Sequence, residues 1–244
     1  MKITYAEYRE ISVKNTPQRY FDFVYRLVSH PITYLFVRMG ATPNFLSMLS
    51  VILNIPAMIL VIYGNVISGF LTFLLAYIFD FCDGNAARTF IKKIGMSEQK
   101  KKFGLLIENF NTNFSLLCLF FSLGWYFSFT HGDVRWFAFS FFVFGIKMVM
   151  RYSAHQSSGL VATSNQLSSS EVKLISHKKN FFVLLKDQLK FLLRKSLFSF
   201  NFYHAVYLIA FIFFPNSAAY IFIVYGSLDV LISIVRIYRS FQII

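Results

Sequence analysis

The chain alternates between long apolar stretches and shorter polar, basic stretches, which is the pattern of a helical protein that crosses a membrane several times. Six stretches are apolar enough, and about long enough, to cross the hydrocarbon layer as helices. They lie near residues 45–64, 66–82, 104–127, 136–151, 198–214 and 218–236. The pattern therefore predicts an all-α integral membrane protein, folded as a bundle of six transmembrane helices.

Two further segments have the composition of helices that lie on the membrane surface. Residues 17–39 mix aromatic and charged side chains, and they predict an N-terminal amphipathic juxtamembrane helix that is interrupted at Pro31. Residues 181–195 carry basic side chains at i, i+4 spacing opposite apolar ones, which favours a second interfacial helix over an extension of the fifth span. Between them, the serine-rich residues 153–180 predict a polar loop.

These elements predict a single membrane domain over residues 1–244. An interfacial N-terminal segment occupies residues 1–40, and the first four membrane helices occupy 41–152. A basic, serine-rich cytosolic loop with its interfacial helix follows over 153–197, and the last two helices with a tail fill 198–244.

The positive charge of the chain is distributed as in a membrane protein. The net charge is +13 at pH 7, and nearly all of it lies before the first span, in two alternate loops, and after the last span. Arg135 falls in the short loop on the other side, which Trp125 and Trp136 flank as interfacial tryptophans do. By the positive-inside rule, both termini face the cytosol, and the charge indicates anionic lipid rather than nucleic acid as a partner.

Candidate chemistry is concentrated at the end of the second apolar stretch, where residues 80–88 read DFCDGNAAR. Asp80 and Asp83 lie on one face of a helix, and burying both is costly unless a cation or an ionic partner compensates them. Gly84 and Ala87 leave room for a ligand, and Arg88 offers a forked donor suited to phosphate. The spacing predicts a cytosolic site for a divalent metal that holds a diphosphate.

Residues 80–88 resemble the first half of the signature of the CDP-alcohol phosphatidyltransferase family, membrane enzymes of phospholipid synthesis. Residues 41–47, which read ATPNFLS, resemble the entry to the family's first membrane helix. The signature continues with a glycine and two acids at four-residue spacing. Sliding the alignment forward by seven residues brings these positions to Gly104, Glu108 and Thr112 in this chain.

The resemblance implies transfer of a substituted phosphate from a CDP-alcohol to an acceptor alcohol, with release of CMP. The implied donor is CDP-diacylglycerol or another CDP-alcohol, between which the sequence does not decide, and the implied cofactor is Mg²⁺ or Mn²⁺. The residues implied in these roles are Asp80, Asp83 and Glu108 as metal ligands, and Gly84, Ala87, Arg88 and Gly104 around the nucleotide. Thr112 occupies the position of the usual base, although a threonine cannot act as a base near neutral pH.

Other polar residues in the apolar stretches have two interpretations each. Asp229 lies deep in the sixth span, as a site residue or as an internal polar contact. His204 is expected to be a packing residue rather than a ligand, and Lys147 is expected to snorkel to the interface. Arg151 is either solvated or in contact with a substrate phosphate. The metal-ligand candidates themselves have the alternative of being hydrated acids at helix ends.

Two other classes of function remain open. A catalytically weak or inactive homologue would bind CDP-lipid or a membrane partner. A small transporter would use the buried acids to line a path, but it would not need Arg88 and small residues at these offsets. The resemblance also allows a homodimer. Cys82 and Cys118 fall in apolar stretches and are expected to pack as small hydrophobes rather than to form a disulfide.

Overall fold

The computed structural model describes residues 3–12, 20–95, 97–165 and 200–241, and the regular secondary structure in these ranges is helical. The predicted all-α class is therefore confirmed for this part of the chain. In chain order the helices are α1 (Tyr5–Ser12), α2 (Tyr20–Arg38), α3 (Pro43–Ile62), α4 (Val66–Ile94), α5 (Glu98–His131), α6 (Arg135–Asn165), α7 (Phe200–Phe213) and α8 (Ala218–Phe241), with a 3₁₀ turn (Pro215–Ser217) before α8.

Helix α3 begins at the Thr-Pro-Asn sequence that predicted its start. Thr42 is the N-cap, and its side-chain oxygen accepts a hydrogen bond from the backbone N–H of Phe45 at 3.3 Å. Pro43 occupies the first turn, where a missing N–H costs nothing because no helical carbonyl precedes it. The local sequence thus fixes where the chain enters the bundle.

Four segments are long and apolar enough to cross a membrane, and they correspond to the first, second, third and sixth predicted spans. They are Pro43–Ile62, Val66–Ile94, Lys102–His131 and Pro215–Val235. Helices α6 and α7 cover the other two predicted spans, but neither meets the same criterion within the described residues. Helix α7 has 14 residues, about 21 Å at 1.5 Å per residue. The count of six spans stays a prediction.

The apolar core joins the six helices from α3 to α8. Phe70 and Phe73 of α4 pack with Leu119 of α5, Tyr207 of α7 and Phe222 of α8, and each is at most 1 % exposed. A smaller cluster on the other part of α4 joins α2, α3 and α4, and its buried members are Val37, Leu46, Cys82 and Ala86. This second cluster lies directly behind the predicted signature, so packing holds one face of residues 80–88 in place.

Two places where the sequence predicted a break or an end of helix are helical in the structure. Helix α2 runs from Tyr20 to Arg38 through Pro31, because the packing of α2 against α4 offsets the lost backbone hydrogen bond. The amphipathic character of this helix stays a prediction. Helix α6 extends to Asn165, so the loop predicted from residue 153 was wrong as far as 165. Residues 135–165 contain no proline, and polar composition alone does not end a helix. Residues 166–199, including the predicted interfacial helix, lie outside the described residues.

Lys147 does not snorkel to the interface as predicted. It is 4 % exposed, and its Nζ donates to Asp229 Oδ1 of α8 at 2.5 Å, with Asp229 itself 1 % exposed. A carboxylate inside the bundle removes the need for the ammonium group to reach water. The alternative of an internal polar contact is thereby confirmed for Asp229. The side chain of His204 lies outside the described part of the chain.

The two cysteines are free, and both are buried as predicted. Cys82 packs in the smaller cluster beside the signature, and its Sγ approaches the carbonyl oxygen of Ser29 at 3.6 Å. Cys118 lies in the main core.

Candidate active site

Helices α3, α4 and α5 bring polar side chains together at one end of the core, because α3 packs against both of the other helices. The centre of this group is the aspartate pair of α4. Asp83 is 8 % exposed and Asp80 is partly buried, so neither is an ordinary hydrated surface acid. Each aspartate receives a hydrogen bond from a different neighbouring helix.

Asp80 is held by α5. The side-chain amide of Asn111 donates to Asp80 Oδ1 at 2.6 Å and also to Ser50 Oγ of α3 at 3.0 Å. Asn111 is 1 % exposed, so water does not compete for these bonds. The carboxylate fixes which way the amide points, because turning its oxygen toward Asp80 would set two acceptors against each other.

Asp83 is held by α3. The hydroxyl of Ser47 donates to Asp83 Oδ2, and the carbonyl oxygen of Pro43, at 3.3 Å, is a second possible acceptor for the same proton. A hydroxyl has one proton to donate, and a carboxylate is the stronger acceptor. Ser47 belongs to the ATPNFLS sequence, so the entry to α3 contacts the aspartate pair directly.

A small cleft opens beside Asp80. Asn54 of α3 continues the polar group, donating to Ser115 Oγ at 2.8 Å and to the carbonyl oxygen of Ser50 at 2.9 Å. The lining residues are Ser50, Asn54, Phe73, Tyr77, Asp80, Thr112 and Ser115. Thr112 therefore lies beside Asp80, and its hydroxyl donates to the Glu108 carbonyl oxygen of its own helix at 2.9 Å.

Glu108 and Arg151 complete the charged groups near the cleft. Glu108 interacts electrostatically with both Asp80 and Asp83, and Arg151 of α6 interacts with Asp80 and Glu108. The three acids supply carboxylate oxygens, which are the ligands that Mg²⁺ and Mn²⁺ prefer. The donor chemistry fits a hard divalent cation.

The three acids are not arranged as the ligands of one metal ion. Among the described residues, no three His, Cys, Asp or Glu side chains are grouped closely enough to hold a metal ion. Glu108 is exposed, whereas the aspartates lie deeper in the bundle. The assignment of Asp80, Asp83 and Glu108 as ligands stays a prediction.

Arg88 contacts the N-terminal helix. Its Nε donates to the carbonyl oxygen of Ser12 at 3.0 Å, and its Nη2 donates to Asn85 Oδ1. Asn85 is fully buried and donates in turn to Ser29 Oγ of α2 at 3.1 Å. The signature arginine thus joins α1 and α2 to α4, a structural role that the sequence alone did not reveal.

A second contact holds α1 on α4. Lys93 Nζ forms an ion pair with Glu7, and this hydrogen bond lowers the pKa of the Glu7 carboxyl below its usual value. A lowered pKa means that the contact contributes at neutral pH and is lost as the pH falls through the pKa of the folded state. Burial against α2 raises the pKa of Tyr8 to about 12, so Tyr8 stays neutral.

The glycines predicted to shape the nucleotide pocket are not needed for helix packing. A Cβ at Gly104 would meet no atom within 4 Å, and one at Gly84 would meet Arg88 Nη1 at an ordinary 3.7 Å. Gly69 differs, because a Cβ there would lie 2.5 Å from Val61 Cγ2 and 2.9 Å from the carbonyl oxygen of Ala57. The space at Gly84 and Gly104 is available to a ligand, whereas the space at Gly69 is filled by α3.

Replacing Gly69 and Gly84 by alanine is expected to give opposite results. Gly69→Ala overpacks the α3–α4 contact, which costs about 1–3 kcal/mol, and should lower the thermal unfolding midpoint in detergent. Gly84→Ala should keep or slightly raise that midpoint, because alanine favours helix. If Gly84 lines the predicted nucleotide pocket, the same variant should weaken nucleotide binding, and unchanged binding would show that Gly84 does not line the pocket.

Sequence reasoning missed the neutral polar residues around the aspartates. These are Ser47, Ser50 and Asn54 of α3, Asn111 and Ser115 of α5, and Asn85 of α4. A signal was present, because 47, 50 and 54 follow i, i+3, i+7 spacing in an apolar stretch, and 111 and 115 are four apart. Polar residues on one stripe of a membrane helix face the bundle interior.

The CDP-alcohol phosphatidyltransferase family model matches residues 40–95. The matched segment contains all of α3 and α4, and therefore both the entry sequence and the signature from Asp80 to Arg88. It ends before Gly104, Glu108 and Thr112. No curated protein matches the chain significantly.

Proposed function

We propose that the protein transfers a substituted phosphate from a CDP-alcohol, with CDP-diacylglycerol as the donor, to an acceptor alcohol and releases CMP. The observation that carries the proposal is the aspartate pair of α4, held from α3 and α5 inside the segment that the family model matches. Two acids held in an apolar bundle by neutral donors favour a cationic ligand, because a cation offsets the cost of burying carboxylates.

In this proposal Asp80, Asp83 and Glu108 hold Mg²⁺ or Mn²⁺. Such an ion would offset negative charge on the diphosphate while the substituted phosphate is transferred and CMP leaves. Gly84 and Gly104 leave the backbone open to the nucleotide. Arg88 contacts Ser12 and Asn85, and its planar guanidinium suits a phosphate oxygen, so we assign it to the diphosphate of the donor.

The reaction breaks the phosphoanhydride bond of the donor and forms one phosphoester bond to the acceptor. The acceptor oxygen forms a bond to the phosphorus that carries the lipid, and the bond from that phosphorus to CMP breaks. Thr112 is not a base, so the hydroxyl proton passes to water instead of to a carboxylate at this position. Loss of a general base costs about 10²–10⁴ in rate, so we infer slow turnover that rises with pH.

The membrane arrangement belongs to the same proposal. We place six helices across the bilayer as one domain, with both termini and the aspartate pair on the cytosolic side. The support is the asymmetric distribution of basic residues and the location of the aspartates on the same side as those basic loops.

A catalytically weak homologue is the second candidate. It is favoured by Thr112, whose hydroxyl already bonds to the Glu108 carbonyl oxygen and offers no proton acceptor for catalysis. Such a protein would bind CDP-lipid at the aspartate pair without turning it over.

The test is CMP release by the purified protein in liposomes. CDP-diacylglycerol is supplied with glycerol phosphate, inositol or serine, in Mg²⁺ or Mn²⁺, and in EDTA as the control. We expect slow, metal-dependent CMP release with at least one acceptor. Metal-dependent binding of CDP-diacylglycerol without CMP release would select the weak homologue, and absence of both binding and release would contradict both candidates.

A further inference from the structure

Among the described residues, side chains of two residues outside the acids and small residues of the signature donate hydrogen bonds to the aspartate pair. Ser47 of α3 donates to Asp83 Oδ2, and Asn111 of α5 donates to Asp80 Oδ1 at 2.6 Å. Both donors are buried, at 5 % and 1 % exposure. Each bond takes one oxygen of a carboxylate and thereby sets the direction of the other oxygen.

We propose that Ser47 and Asn111 are positioning residues that orient Asp83 and Asp80 for a divalent cation. This inference rests on the proposed function for the identity of the ion. It goes beyond that function because it assigns a role in cation binding to two neutral residues that do not themselves hold the ion.

The network behind Asn111 makes it a rigid support. Its amide is also bonded to Ser50 Oγ at 3.0 Å, and the Ser50 carbonyl oxygen accepts a bond from Asn54. Asn54 in turn donates to Ser115 of α5 at 2.8 Å. Asn111 is therefore fixed between α3 and α5 before any ion arrives, so orienting Asp80 costs little entropy when the ion binds.

The chemistry of the two donors suits this role. Neutral donors fix a carboxylate without cancelling its charge, whereas a lysine or arginine in the same place would compete with the cation. Partners that orient metal ligands typically contribute about 10–100-fold in metal affinity. A purely structural pair of hydrogen bonds would change stability and leave the affinity for the ion unaltered.

The test is Mn²⁺ binding to the metal-free protein in detergent, followed by the loss of the free-ion EPR signal. Ser47→Ala and Asn111→Leu should each weaken binding about 10–100-fold. Ser47→Thr retains the hydroxyl and should bind like the wild type. Ser122→Ala is the matched control, because Ser122 is fully buried and donates to the Leu119 carbonyl oxygen of its own helix.

The outcomes separate this inference from the proposed function. Wild-type affinity in folded Ser47→Ala and Asn111→Leu proteins would overturn the positioning role, and so would a wild-type protein that binds no Mn²⁺. Weakened binding in both variants, together with a wild-type protein that binds Mn²⁺ but releases no CMP, would support the positioning role and contradict the transferase.

Discussion

Replacing Asp80 or Asp83 by asparagine is expected to lower the rate of metal-dependent CMP release at least ~100-fold. Each change keeps the size of the side chain and deletes one negative charge from a site where net negative charge is the attraction for the ion. The measurement is the initial rate of CMP release from CDP-diacylglycerol as a function of Mg²⁺ or Mn²⁺ concentration, at matched yields of folded protein.

The control for this pair is Asp133→Asn. Asp133 pairs with the exposed Arg135, whose hydrogen bonds lower the pKa of the Asp133 carboxyl below its usual value. It lies in the short loop between α5 and α6, and its loss should leave the rate unchanged. Full metal-dependent activity in both the Asp80 and Asp83 variants would show that the ion, if one acts, binds elsewhere.

Asp229→Asn is expected to destabilise the bundle by about 3–5 kcal/mol. The substitution leaves the ammonium group of Lys147 buried without a counter-charge, and an unpaired charge in this environment costs more than the ion pair contributes. The double variant Lys147→Met with Asp229→Leu should recover most of the stability, because it removes both charges together. The measurement is the thermal unfolding midpoint in detergent.

The exposed pair of Asp133 and Arg135 again supplies the comparison, because solvated ion pairs contribute little. If the Lys147→Met, Asp229→Leu protein is no more stable than Asp229→Asn, the Lys147–Asp229 pair does more than neutralise its own charges.

The resemblance of residues 41–47 to a helix entry pointed to the start of α3, and the structure gives the local reason for it. Thr42 is the N-cap and Pro43 occupies the first turn, so both act within one helical turn. The aspartate pair was found for the same reason, since Asp80 and Asp83 are three residues apart. Signals of this range need no knowledge of the tertiary fold.

The contacts that the sequence analysis predicted wrongly or missed join side chains that lie far apart in the sequence. The position of Lys147 is set by Asp229, 82 residues later, and no local pattern reveals that the two side chains meet. Asn111 reaches Asp80 across 31 residues, and which residue of α5 points inward depends on the register between helices. The alignment selected Glu108 and Thr112 as site residues, whereas the side chain that donates to Asp80 is that of Asn111, which precedes Thr112 in the sequence.

The contact between Arg88 and Ser12 has a consequence for the order of events during synthesis. The two residues are separated by 76 positions, so at about 5–20 residues per second the ribosome adds Arg88 about 4–15 s after Ser12. During that interval α2 and α3 are synthesised, and α1 can contact α2 through Tyr8 and Ser12 but has no partner on α4. The contact with α4 therefore forms last, and a delay in the synthesis of α4 prolongs the time for which α1 lacks it.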